Sequence, residues 1–83
     1  NELTSVDFSK NILLETLLIS DNNIQNIDLE HNTSLTHLYI SSNSLTDLDV
    51  GNNQELIDLK VDRNPNLSCI ITYLMYQYRN IKN

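Results

Sequence analysis

Apolar and polar positions follow one phrase along most of the chain: apolar-x-x-apolar-x-apolar-x-x-Asn. It runs Leu3, Val6, Phe8, Asn11, then Leu14, Leu17, Ile19, Asn22, then Ile24, Ile27, Leu29, Asn32. It continues through Leu35, Leu38, Ile40, Asn43, through Leu45, Leu48, Val50, Asn53, and through Leu56, Leu59, Val61, Asn64. Six unbroken copies predict a repeat architecture in which each unit buries its apolar face against its neighbours. The apolar-x-apolar centre of each phrase predicts a short extended segment, with two side chains turned inward and the middle one outward.

The copies start at 3, 14, 24, 35, 45, 56 and 67, so steps of 11 and 10 alternate as far as 56, with a final step of 11. A loop of ten extended residues is about 35 Å around. That leaves almost no interior between walls about 10 Å apart. Two phrases, 21 residues, close a flattened turn with room for side chains. The expected fold is therefore mostly β: a solenoid of about four 21-residue coils. Stacked short strands would form a parallel sheet on one wall, with short strands or turns on the other.

The two halves of the unit differ. Those starting at Leu14 and Leu35 place an apolar residue two after the Asn, whereas those starting at Leu3, Ile24 and Leu45 carry Asp7, Asp28 and Asp49 between their last two apolar positions. The form L-x-x-L-x-L-x-x-N-x-L resembles the conserved segment of the leucine-rich repeat family. The nested 21-residue pattern is similar to that of secreted and surface proteins of bacteria, internalin-like ones included. The resemblance covers residues 3 to about 70. It implies a right-handed solenoid whose concave wall carries the continuous parallel sheet. It also implies a secreted or cell-surface location and a role in binding or adhesion.

Each Asn stands where the chain leaves a strand, and an inward amide there satisfies backbone groups that the bend leaves unpaired. Asn22, Asn43 and Asn64 are expected to form one ladder, and Asn11, Asn32 and Asn53 a second. Residues 1–68 read as the repeat array, entered in mid-array as in the C-terminal part of something longer. Residues 69–83 read as a C-terminal cap, where Asn64-Pro65-Asn66-Leu67-Ser68-Cys69-Ile70 resembles the closing motif of such arrays. For residues 70–80, β-branched and aromatic content favours a strand, while Ile70, Leu74, Tyr78 and Ile81 also suit one helix face. Cys69, the sole cysteine, reads as a small buried hydrophobe.

Candidate chemistry narrows the function. No metal-protease, Cys-x-x-Cys, nucleophile-elbow or phosphate-loop motif occurs, and one glycine excludes most phosphate cradles. His31 falls in a turn and His37 on a strand. Neither is set among catalytic partners, so the chain reads as non-catalytic and without a cofactor. The net charge of −6, from 11 acidic and 5 basic residues, argues against nucleic acid and anionic membranes. Neutral or basic proteins, or glycans, are the expected partners. The sequons at Asn32 and Asn66 carry little weight in a chain with 13 asparagines.

Two outward columns differ in character. Asp7, Asp28 and Asp49 repeat without change, which fits a solvated polar face and makes a weak candidate for a cation. The other wall varies from unit to unit, in the columns Thr16–His37–Asp58, Leu18–Tyr39–Lys60 and Asp21–Ser42–Arg63. Tyr and Arg are the types enriched at binding hot spots. Thr16, Leu18, His37, Tyr39, Asp58, Lys60 and Arg63 are therefore the candidate partner-binding residues. The rival expectation is a structural spacer supporting an upstream domain. A first repeat with an open edge also predicts a monomer or a weak end-to-end dimer.

Overall fold

Six short strands carry the fold: β1 Thr16–Leu18, β2 His37–Tyr39, β3 Asp47–Val50, β4 Asp58–Lys60, β5 Cys69–Thr72 and β6 Asn80–Lys82. They belong to a computed structural model that describes residues 2–72 and 80–82. Among these residues there is no helix. Every strand pairing among them is parallel, in a four-stranded sheet ordered β1-β2-β4-β6 and a two-stranded sheet of β3 and β5.

The register follows the repeat. Thr16 pairs with His37 and His37 with Asp58, each 21 residues on, and Leu17, Leu38 and Leu59 form the inward row between the two outward columns. Strict alternation in a strand explains the burial: Leu38 and Leu59 are fully buried, whereas Leu18 is 64 % exposed. The apolar phrase positions of the second and third units make the core, with Ile24, Leu35, Ile40, Leu45, Val50, Leu56 and Val61 all fully buried. In the first unit, Val6, Phe8, Leu14 and Ile19 are only partly buried against that core.

The chain leaves β1, β2 and β4 through residues with positive φ: Asp21 at 64°, Ser42 at 55° and Arg63 at 59°. The left-handed conformation crowds Cβ against the following carbonyl, at a cost of roughly 1–2 kcal/mol for an ordinary residue. Glycine relieves the clash but loses more backbone entropy on folding. Ser42→Gly is therefore expected to change stability by less than about 1 kcal/mol, and Ser42→Val to destabilise by about 2 kcal/mol. Urea melts of the two variants would check the ordering.

The asparagines that follow these bends are buried and hold the turns together. Asn43 donates through Nδ2 to the carbonyls of Ile19, Ile40 and Ser41, each at 3.1 Å, and its Oδ1 accepts the Ile24 amide at 3.0 Å. Asn64 repeats the arrangement on Ile40, Val61, Asp62 and Leu45. Asn22 holds Ile19, Ser20 and the amide of Leu3. In the second ladder, Asn32 donates to Phe8 and Asn11, and Asn53 donates to Leu29 and Asn32.

Asn11 departs from the expectation. It is exposed, and its carbonyl, not its side chain, takes part in the ladder by accepting from Asn32. The ladder is directional: Asn32 and Asn53 each donate to carbonyls 21 and 24 residues earlier.

Cys69 is also a correction, because it is exposed. Its strand pairs Ile70 with inward Leu48, which turns Cys69 outward beside Asp47. The expected cap contributes to both sheets: β5 pairs with β3, and β6 adds a fourth rung beside β4. The choice between strand and helix over 70–80 is a strand for residues up to Thr72 and again at Asn80, and residues 73–79 lie outside the described residues.

Candidate functional site

The outward face of the four-stranded sheet gathers side chains that are far apart in sequence. Strand spacing of about 4.8 Å brings residues 21 apart into contact. Three columns run across this face, the third just past the ends of β1, β2 and β4. Two are the expected Thr16–His37–Asp58 and Leu18–Tyr39–Lys60, now fixed as Cα partners. The third is Ser20–Ser41–Asp62, which lies one alternation further on and completes a three-by-three grid.

Tyr39 sits at the centre of the grid. Its hydroxyl donates to Asp58 Oδ2 at 2.6 Å, and the Lys60 ammonium lies 4.3 Å from its ring centroid. His37 stands edge-on to it, with ring centroids 6.4 Å apart. These contacts hold an aromatic ring upright on a sheet surface with a carboxylate and an ammonium fixed beside it. The hydrogen bond to Asp58 raises the Tyr39 phenol above its ordinary value, with burial and the Asp58 charge adding to the effect.

The third column is joined as well. Ser41 Oγ donates to Asp62 Oδ1 at 2.5 Å, and the Ser41 amide donates to Ser20 Oγ at 3.0 Å. The Ser41 hydroxyl is the main reason the Asp62 carboxyl lies below its ordinary value of 3.8. A depressed folded-state pKa contributes stability that is present above the unfolded value and lost as the pH falls through the folded one. Ser41→Ala should move Asp62 back up toward 3.8, so that this acid loss begins at higher pH. Carboxyl-carbon NMR titration of wild type and variant reads the shift directly.

Arg63 does not belong to the grid. It occupies the left-handed bend after β4, its side chain is 81 % exposed, and its nearest acid is Asp62 at 4.0 Å. The column Asp21–Ser42–Arg63 is thus a column of bends. Its common property is the left-handed backbone conformation. The hydrogen-bonded pair Ser41–Asp62 takes its place beside the other candidates, and the alternation 16, 18, 20 was the signal for it.

The Asp column has a local structural role. Asp7 Oδ1 accepts the Ser9 amide, Asp28 Oδ1 the Glu30 amide and Asp49 Oδ1 the Gly51 amide, each at 2.9 Å. These are Asx-turns, in which the side chain stands in for a backbone acceptor two residues back. The Ser9 backbone amide holds the Asp7 carboxyl below its ordinary value. Among the described residues, no three His, Cys, Asp or Glu side chains converge as a metal-ligand group.

An Asn oxygen accepts the same bond as an Asp oxygen. Changing Asp7, Asp28 and Asp49 together to Asn should therefore leave the melting temperature within a few degrees of wild type. Changing them to Ala should lower it, by roughly 0.5–1.5 kcal/mol for each lost bond. Thermal melts with and without a chelator, on all three proteins, would expose any cation contribution.

His31 is exposed in the turn after the Asp28 segment, away from the grid. Asn32, the first sequon residue, is fully buried with its amide bonded to two carbonyls, so folding withholds it from modification. No protein-family model, curated protein or solved structure matches this chain.

Proposed function

We propose that this chain is a non-catalytic recognition module, a right-handed leucine-rich-repeat solenoid that binds another macromolecule through the outward face of its four-stranded sheet. The fold reading rests on the 21-residue register and the buried asparagine ladders. Recognition of a protein is the preferred activity, with a glycan the alternative ligand. A secreted or cell-surface setting in a bacterium rests on the family resemblance alone.

One contrast carries the functional reading. The Asp column is invariant and its carboxylates are occupied with their own turns, whereas two of the three columns of the sheet face change side chain at every rung. Stability explains the first and makes no demand on the second. A grid with Tyr39 fixed upright, a charge of each sign beside it and exposed Leu18 at its margin has the mixed character of a binding surface.

The test is a pull-down from host and bacterial surface extracts with three baits of matched fold. One is wild type, one is L18A/Y39A/K60A, and one is D7N/D28N/D49N. A partner retained by the first and third and lost by the second is the expected result. A partner retained equally by all three places recognition elsewhere, and no partner for any of them favours a spacer supporting an upstream domain.

A further inference from the structure

We draw no further inference here: the strongest candidate, the recess of about 300 Å³ between the second and third units lined by Asp28, Glu30, Asp49 and Asn53, is a cluster of acidic side chains whose unpartnered Asn53 Oδ1 is itself buried, so nothing in the structure points to a ligand for it.

Discussion

Asn43→Ala is expected to destabilise the chain by about 3–5 kcal/mol, close to what a domain of this size has to lose. The side chain is buried and serves four backbone groups: three carbonyls and the Ile24 amide. Alanine removes it from all four, and no water enters so tightly closed a turn without cost. Those groups span two repeats, since Ile19 belongs to the unit before Asn43. The loss therefore falls on the stacking of units as well as on one bend.

Asn43→Asp should be worse than Asn43→Ala, although the new side chain has the same shape as the old. It keeps an acceptor for the Ile24 amide but turns its second carboxylate oxygen toward three carbonyls, which sets a buried charge against acceptors in place of a donor. Asn53→Ala should cost less, about 2–3 kcal/mol, because only its Nδ2 is bonded, to Leu29 and Asn32. Urea melts should find Asn43→Asp the least stable of the three variants, Asn43→Ala next and Asn53→Ala the most stable. Equal melts for Asn43→Asp and wild type would remove the ladder from the account.

Leu38→Ala is expected to cost about 2–5 kcal/mol. Leu38 is fully buried and stands between Leu17 and Leu59 on the inward row of the larger sheet. A cavity there has packed neighbours on both sides and cannot collapse without moving β2, which also carries His37 and Tyr39. Leu17→Ala should cost less, since Leu17 lies on the edge strand and is already 6 % exposed. Calorimetry of the two variants gives the comparison. A Leu17 loss equal to that of Leu38 would mean that the row is not stacked as described.

Much of this arrangement could be read from the chain because repetition carries register. Units of equal length keep the parity of inward and outward positions. The partners Thr16–His37–Asp58 and Leu18–Tyr39–Lys60 follow from counting 21, and the inward asparagines from the backbone groups a bend leaves free. Counting fails where parity breaks. At Asp21, Ser42 and Arg63 the backbone turns left-handed, so this column in the sequence is a column of bends in space.

Equal spacing also hides direction. Asn11 looks like Asn32 in the sequence, but Asn32 is the donor of the bond that joins them and Asn11 offers only its carbonyl. The Asp column shows the same limit for chemistry. Three carboxylates in register suit a cation, a solvated face or three Asx-turns, and only the 2.9 Å bonds to the amides two residues on single out the turns. Cys69 misled for a simpler reason. Nearby Leu67, Ile70 and Ile71 suggested burial, whereas strand alternation turns it the other way.

The most direct test of the binding face is a chemical-shift map of the isotope-labelled chain, recorded as the captured partner is added. Perturbations centred on Tyr39, Asp58 and Lys60 and spreading to Leu18 and Ser41, with Asp28 and Gly51 unmoved, are the predicted result. A map centred on the Asp7, Asp28 and Asp49 turns would contradict it and move recognition to the opposite wall.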